Sequence, residues 1–549
     1  MLTGIRPYLA LTLLCALLYI PGIAVIPALD RDEARYMQPT RQMLETGDFI
    51  DIRFQDEPRY KKPIGIYWLQ AGAVAVAGST DSREVWPHRV PSVLGAWAAV
   101  LFTFALGARL FERRAALLAA ALLGGCLALV VEANQAKTDA VLLATIVASQ
   151  AGLGVAYVAA RRGEQPADGA WIRGPAALFW IAQGIGFLVK APLPQFVALM
   201  TIAALVVADR DWQWLRRLQP LRGLLLMALI ALPWAIAIGI ETGGAFFTIA
   251  IGDDLLPKMA GGEESHGAPP GYYAALMLVF FWPGSLFAGP ALVHVWGERL
   301  QPSIRFCLAW LIPAWIGFEL IPTKLPHYVL PLYPALALLA AVAVIAAVDR
   351  RGGPFDARWT RIWYGVWSIV GLALAAGAVA VPIVVGEGFT PWSLLPAAAA
   401  VAASAAGVWL AARHRLLAAA IAVLALGLVT QAALLQWIMP RATDLWVSQK
   451  IARAVATAGA TAPVAVAGFS EPSVVFELGT DTVLTSGDGA AFHLLATAGA
   501  LAVVEQRQEA AFREALAAHA AATTSVATVT GLNYSKGQDV FFTIYQRAR

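Results

Sequence analysis

The sequence predicts a polytopic α-helical membrane protein with a soluble α/β domain at its C-terminal end. Of the 549 residues, 59% are hydrophobic and only 14% are charged, whereas a soluble protein carries about a quarter charged residues. Apolar runs of about 20 residues, long enough to cross a bilayer, recur along the first 440 residues. After residue 440 the pattern changes to short β-rich runs. The net charge of +4 gives no indication of nucleic-acid binding.

About thirteen transmembrane helices are expected, at residues 8–29, 91–111, 115–131, 138–160, 174–189, 192–208, 221–240, 273–296, 305–321, 328–348, 363–385, 392–411 and 416–437. Arginines concentrate in alternate loops, which the positive-inside rule assigns to the cytoplasm. The first outer loop (30–90), a second large loop (241–272) and the tail then face the opposite side. The first apolar run is expected to be a retained span and not a cleaved signal peptide.

The first outer loop and the tail differ in character. Glu33–Leu44 and Ile64–Val76 are amphipathic, which is typical of helices lying in the membrane interface. We therefore divide the chain into a transmembrane domain, 1–440, and an α/β domain, 441–549, from which we expect support or partner contacts and not chemistry. Its predicted strands are Pro463–Ala467, Thr482–Thr485, Leu501–Val504, Ser525–Val529 and Val540–Tyr545.

Acidic residues at one membrane face are the candidate catalytic groups. Asp32 and Glu33 follow the first span, and Asp139 begins the fourth. Asp139 alone could simply cap a helix N-terminus, where Asp is favoured. Acids brought to one interface by separate spans point to function, because ionisable groups near a bilayer are usually functional.

Isolated cations at the same outer helix ends are the candidate substrate-binding groups. Snorkelling to lipid headgroups is the alternative, but it normally favours the cytoplasmic face. Cations with acids beside them suit a phosphate-bearing ligand. With neighbouring aromatic side chains and a histidine, the predicted set is Arg35, Arg59, Tyr60, Lys62, Lys190, Lys258, Lys324, His327 and Tyr328.

Seven motifs in a fixed order carry a family resemblance: DEARY followed by GDF, then RYKKPIGIYW, KTDAVLL, GFLVKAP, HGAPPGYY and TKLPHYVLPLYPALALL. As an ordered set over residues 1–440, they resemble bacterial membrane glycosyltransferases of the GT-C fold. The 4-amino-4-deoxy-L-arabinose lipid A transferases are the nearest, and the protein O-mannosyltransferases are more distant. Where those transferases carry an Arg-containing stretch, this chain has DDLLPKMAGGEES, with Lys258 as the substitute cation.

The resemblance implies an inverting transfer of a sugar from undecaprenyl phosphate to lipid A on the periplasmic face of the inner membrane. A monomer among membrane lipids is expected. Carried over by motif, Asp32 and Glu33 match the family's acidic pair, and Asp139 its second acid. Lys62 matches the lysine before proline, and Lys324 and Tyr328 match a late lysine and tyrosine.

The chemistry leaves two roles open for Asp32. The departing phosphate needs cations, for which Arg59, Lys62, Lys324 and Tyr328 are the candidates. A hydroxyl acceptor would require a general base, and Asp32 would supply it. An anionic lipid A phosphate needs no base, so Asp32 and Asp139 would then orient an aminosugar or stabilise positive charge at the anomeric carbon.

No cofactor is required for this chemistry, but a structural Zn²⁺ between the two large loops is possible. Two carboxylates and two imidazoles suit Zn²⁺, and the candidates are Glu84, His88, Glu263 and His266. Ordinary surface polarity is the alternative.

Two other functions compete with lipid glycosylation. One is a protein O-glycosyltransferase, although most outer loops are short and leave modest room for a protein acceptor. The other is a lipid transporter or flippase, which would predict internal repeats and polar residues at mid-span. Neither is visible in the sequence.

Overall fold

The computed structural model describes residues 4–80, 82–165, 172–257, 268–348, 350 and 353–548. Within these residues, eight helices are long and apolar enough to cross a membrane. A ninth span results if the bent pair Arg113–Gly124 and Leu127–Ala133 is one crossing. Four further apolar helices have 10–17 residues. The protein is therefore a multi-pass helical membrane protein. By length and composition the described residues give eight or nine spans, fewer than the predicted thirteen or so.

The helices before residue 300 are α1 Arg6–Tyr19, α2 Ala34–Thr46, α3 Gly65–Val76, α4 Trp86–Leu110, α5 Arg113–Gly124, α6 Leu127–Ala133, α7 Asp139–Arg161, α8 Gly174–Lys190, α9 Leu193–Asp209, α10 Pro220–Glu241, α11 Tyr272–Phe280 and α12 Ser285–Gly297. The later ones are α13 Pro302–Leu320, α14 Tyr333–Ala347, α15 Arg358–Val384, α16 Leu394–Ala412, α17 Leu416–Ala433, α18 Val447–Ala458, α19 Pro472–Leu478, α20 Gly487–Ala496 and α21 Glu509–Ala518.

The two helices of the first outer loop have different surroundings. Helix α3 exposes Trp68 and Leu69, 40% and 44% accessible, as a helix in contact with lipid would. Helix α2 buries polar residues as well as apolar ones, because the C-terminal segment covers it. Gln38 Nε2, on α2, donates to Thr480 Oγ1 at 2.8 Å, and Gln55 Nε2, in the loop after α2, donates to the Thr480 carbonyl at 2.9 Å. Its amphipathic pattern thus reflects packing against protein as well as against the membrane domain.

The C-terminal residues form a five-stranded mixed sheet. Its strands are β3 Ala465–Ala467, β4 Val483–Thr485, β5 Leu501–Glu505, β6 Thr523–Asn533 and β7 Gln538–Arg547, which follow the short hairpin β1 Arg53–Phe54 and β2 Glu57–Pro58. The strand order is β4-β3-β5-β7-β6. Strand β3 pairs in parallel with both β4 and β5, whereas β7 pairs antiparallel with β5 and β6.

Helices cover both faces of this sheet. Because successive side chains alternate between faces, Val466 and Val503 enter one apolar layer and Ala465 and Ala502 the other.

Candidate active site

A cavity of about 240 Å³ lies where the first outer loop meets the ends of several apolar helices. Three lysines and three acids line it, together with aromatic and apolar side chains. The ionisable and aromatic lining residues are Asp32, Tyr36, Lys62, Lys137, Asp139, Lys190, Asp254, His327, Tyr328 and Phe318. Leu193, Ile321 and Leu325 contribute apolar wall. Cations beside an apolar wall suit a phosphate attached to a lipid chain.

Two glycines allow the backbones to come close enough to build this cavity. A Cβ atom at Gly95 would lie 2.7 Å from the Val141 Cα atom, so α4 packs directly against the start of α7. A Cβ atom at Gly65 would lie 2.7 Å from the Leu188 carbonyl oxygen. Since only glycine permits such approaches, these contacts place Asp139 and bring the RYKKP segment beside the end of α8.

Asp139 is the centre of the buried charges. Its Oδ1 atom accepts a hydrogen bond from Lys190 Nζ at 2.7 Å and lies 3.7 Å from His327 Nε2. Lys190 Nζ also lies 5.8 Å from the centre of the Tyr328 ring. Thr138, and not Asp139, stands at the N-cap position of α7, without a side-chain cap hydrogen bond. Asp139 instead holds the lysine, beside the histidine, in the wall of the cavity.

A second buried pair, which was not singled out in the sequence, lies next to the first. Lys137 Nζ is 2.9 Å from Glu132 Oε1, and His327 Nδ1 is 3.9 Å from the same oxygen. Burial acts to lower the pKa of Lys137, but the carboxylates of Glu132 and Asp139 raise it above its ordinary value. Lys137 therefore remains a cation. In the sequence, the charged residues of EANQAKTD stand between two apolar runs. Such a position near a bilayer could have marked Glu132 and Lys137 as candidates.

Asp32 is exposed and lines the cavity. Nearby, the Arg59 Nε atom donates to the Arg35 carbonyl oxygen at 2.9 Å. Burial, and then the adjacent charge of Arg59, lowers the pKa of Arg35, while Asp32 acts in the opposite direction. Two neighbouring guanidinium groups that repel each other favour binding of an added anion.

Lys62 and Asp254 form another ion pair of the cavity lining. Lys62 Nζ donates to Asp254 Oδ2 at 3.2 Å, so this lysine is already paired with an acid inside the cavity. Asp254 was not singled out in the sequence, although it lies in the quoted stretch DDLLPKMAGGEES. Predicted residues Lys258, Glu263 and His266 lie outside the described residues.

Glu33 was predicted to be a catalytic acid, but the structure places it in a buried ion pair with Arg89. Both its carboxylate and the Arg89 guanidinium are fully buried, and Arg89 Nε donates to Glu33 Oε1 at 2.7 Å. Glu33 also accepts hydrogen bonds from the backbone N–H groups of Ala136, at 2.7 Å, and Leu29, at 2.9 Å. Its oxygens are occupied by the fold, so we correct its role to that of a structural anchor.

Tyr60 and Lys324 are also placed outside the cavity lining. The Tyr60 hydroxyl donates to Asp51 at 2.8 Å, and its ring packs on Phe246. Lys324 Nζ donates to the Ala268 carbonyl at 2.9 Å and lies 3.3 Å from a Glu319 carboxylate oxygen. Thr323 and Leu325 line the cavity, whereas the lysine between them is bound to the backbone just before α11.

The two described metal candidates, Glu84 and His88, are engaged with other groups. Glu84 Oε2 accepts hydrogen bonds from Ser79 at 2.9 Å and Trp86 at 3.1 Å. The buried His88 ring packs edge-on against Phe476, and its Nδ1 atom is 3.1 Å from the Glu84 carbonyl oxygen. Within the described ranges, no cluster of three or more His, Cys, Asp or Glu residues could hold a metal ion.

Comparison with known proteins supports the resemblance. The family model for dolichyl-phosphate-mannose-protein mannosyltransferase matches residues 4–246. An undecaprenyl phosphate-alpha-4-amino-4-deoxy-L-arabinose arabinosyl transferase of Pseudomonas paraeruginosa is 29% identical over 315 residues, which are 57% of this chain. The match spans little more than half of that relative, 55% of its length. An Aeromonas hydrophila protein of the same name is 29% identical over 406 residues, covering 70% of this chain and 71% of that protein.

Solved structures indicate the fold. The crystal structure of ArnT from Cupriavidus metallidurans bound to undecaprenyl phosphate superposes with a TM-score of 0.73 at 18% identity. The superposition covers 99% of this chain and 98% of that chain. This chain therefore has the GT-C membrane glycosyltransferase fold and resembles the undecaprenyl-phosphate aminoarabinose transferases.

Proposed function

We propose that this protein is an inverting glycosyltransferase that moves a sugar, 4-amino-4-deoxy-L-arabinose, from undecaprenyl phosphate to a lipid A phosphate. The observation that carries the proposal is the shared cavity. Lys62, Lys137 and Lys190 line it together with Asp32 and Asp139, beside an apolar wall. We place it on the periplasmic face of the inner membrane, because the arginine-rich loops lie at the opposite ends of the spans.

The cations act on the leaving group. When the glycosidic bond breaks, negative charge develops on the undecaprenyl phosphate, and preorganised cations stabilise that charge. Lys62 and Lys190 each have a carboxylate partner, at 3.2 Å and 2.7 Å. A phosphate entering the cavity competes with Asp254 and Asp139 for these ammonium groups. Arg35 and Arg59 add positive potential near Asp32.

The acids act on the sugar. Asp32 is exposed to the cavity, so its carboxylate can orient the sugar's amino group or stabilise positive charge at the anomeric carbon. A lipid A phosphate is already anionic and attacks without a base, whereas a hydroxyl acceptor would require Asp32 to accept a proton. Asp139, paired with Lys190, orients that lysine and His327.

The test is transfer by the purified full chain in liposomes containing undecaprenyl-phosphate-linked aminoarabinose and lipid A. Mass spectrometry should show lipid A that has gained one aminopentose. Lipid A from cells with and without the protein should show the same difference. Unchanged lipid A in both experiments would contradict the proposal.

A second candidate function is transfer to a protein hydroxyl. The match of residues 4–246 to the protein mannosyltransferase model favours it. In that case glycoproteins, and not lipid A, should change when the protein is removed, and Asp32 should act as the base. The same mass spectrometry decides between the two acceptors.

A structural Zn²⁺ is a separate proposal that rests on the sequence pattern. Glu84 and His88 would contribute from the first outer loop, and Glu263 and His266 from the second. Metal analysis of the purified protein should find about one Zn²⁺ per chain, and His266→Ala should lose it. Equal zinc content in both proteins would exclude this ligand set.

A further inference from the structure

The short segment that carries Asp32 is held between two domains. Residues 29–33 follow the first apolar helix and lead into α2. On the membrane side, Glu33 anchors one end of the segment through the buried Arg89, with donor–acceptor distances of 2.7 Å and 2.8 Å. The Glu33 carboxylate also accepts the Leu29 backbone N–H at 2.9 Å, so it ties the two ends of the segment together. Asp30 and Arg31, between those ends, make their contacts elsewhere.

The C-terminal domain provides those contacts. The Asp30 backbone N–H donates to the Tyr534 hydroxyl at 2.6 Å, and Arg31 Nη2 donates to the Ser535 carbonyl at 3.0 Å. Tyr534 and Ser535 lie in the turn between β6 and β7. The Ser473 hydroxyl, at the start of α19, donates to the Asp30 carboxylate.

The backbone conformation indicates that these contacts hold the segment in place. Arg31 has a φ of 61°, in the left-handed region that non-glycine residues rarely occupy, and such a conformation persists only where the surroundings enforce it. Burial and the nearby Glu471 raise the pKa of Asp30 to about 7, while Arg31 acts to lower it. The Asp30 carboxyl is half-buried at the contact with the C-terminal residues.

We infer that the C-terminal domain positions Asp32 for the transfer reaction, through Tyr534 and Ser473 acting on Asp30. The inference rests on the proposed function for the role of Asp32. Tyr534 and Ser473 are positioning residues, since they contact the segment and do not line the cavity. Removing their hydroxyls should therefore slow turnover without weakening donor binding.

The test compares Tyr534→Phe with Tyr545→Phe in the full chain. Both variants lose one phenol hydroxyl from the same domain, but the Tyr545 hydroxyl contacts Glu509 and Arg513 instead of the segment 29–33. Tyr534→Phe should lower kcat about tenfold or more, because small displacements of a reacting group are costly. KM for the undecaprenyl-phosphate-linked donor should stay within about twofold. Tyr545→Phe should leave both constants unchanged.

Hydrogen exchange gives a measurement that does not depend on activity. Amide exchange of a peptide covering residues 29–33 should become faster in Tyr534→Phe, because the Asp30 N–H loses its acceptor. It should not change in Tyr545→Phe. A wild-type protein that transfers no sugar would contradict the proposed function, whereas the exchange result would still decide whether the domain holds the segment.

A serine pair controls for misfolding of the tyrosine variant. Ser473→Ala removes the hydroxyl that contacts Asp30, and Ser473→Thr retains it. We expect Ser473→Ala to lower kcat with unchanged donor KM, and Ser473→Thr to restore it. Unchanged kcat and exchange in both Tyr534→Phe and Ser473→Ala would overturn the inference. So would a loss confined to donor KM, or equal losses in Tyr545→Phe.

Discussion

The buried Glu33–Arg89 pair gives the sharpest prediction about stability. Arg89 donates five hydrogen bonds, two to Glu33 and three to the carbonyls of Ile23, Ile26 and Pro27, all between 2.7 Å and 2.9 Å. Removing one partner of a buried ion pair costs about 3–5 kcal/mol, because the other charge remains buried without compensation. Arg89→Met should therefore destabilise the protein by that amount, and Glu33→Gln by less, because glutamine keeps the shape and an acceptor oxygen.

The assay is thermal unfolding of the purified variants in detergent, with transfer measured on the folded protein. The double variant should be less destabilised than the sum of the single ones, since it leaves no buried charge unpaired. Arg53→Met is the control, because Arg53 is 47% exposed in its pair with Asp51, and its loss should cost no more than about 0.5 kcal/mol. If Glu33→Gln keeps the wild-type midpoint but abolishes transfer, Glu33 takes part in the chemistry and the structural assignment is wrong.

Three further predictions concern the cavity and its supporting loop. Lys62→Met should lower kcat/KM for the donor about tenfold or more, the value of one charge-assisted hydrogen bond. The exposed neighbour Lys61, which does not line the cavity, gives the control Lys61→Met, and equal effects would contradict the assignment. Asp32→Asn should abolish transfer at every pH if the carboxylate positions the sugar, whereas an activity recovered at high pH would indicate base catalysis. Asp30 has a folded-state pKa of about 7 against an ordinary 3.8, so its ionisation costs stability progressively as the pH rises from about 4 to 7. Asp30→Asn should raise the thermal midpoint more at pH 8 than at pH 5, and an equal shift at both would refute this coupling.

Part of the candidate site could be predicted from residue type and position. Asp32, Lys62, Asp139, Lys190, His327 and Tyr328 all line one cavity, and each is a polar residue beside an apolar run. Such residues are costly to place near a bilayer and are therefore informative in a sequence. The same reasoning did not separate Asp32 from Glu33, or Lys324 from its neighbours. These residues lie outside regular helices and strands, where no helical or strand periodicity predicts which way a side chain points.

The residues missed by sequence reasoning depend on contacts between distant segments. Glu132 and Lys137 pair within one turn region, and the His327 ring, brought by a distant segment, lies close to both Glu132 and Asp139. Tyr36 lies on α2, and it reaches the cavity only through the way that helix packs. No local pattern specifies these long-range distances.

The sequence by itself determined that the chain is a membrane protein, where most apolar helices lie, and that charges gather at one set of helix ends. It did so because bilayer thickness and the cost of burying charge act on local composition. Only the tertiary structure decided which charges meet. Close backbone approaches at Gly65 and Gly95 bring three separated segments to one cavity. Ser473, Tyr534 and Ser535 contact Asp30 and Arg31 from more than 400 residues away in the chain. These arrangements follow from packing, which composition does not encode.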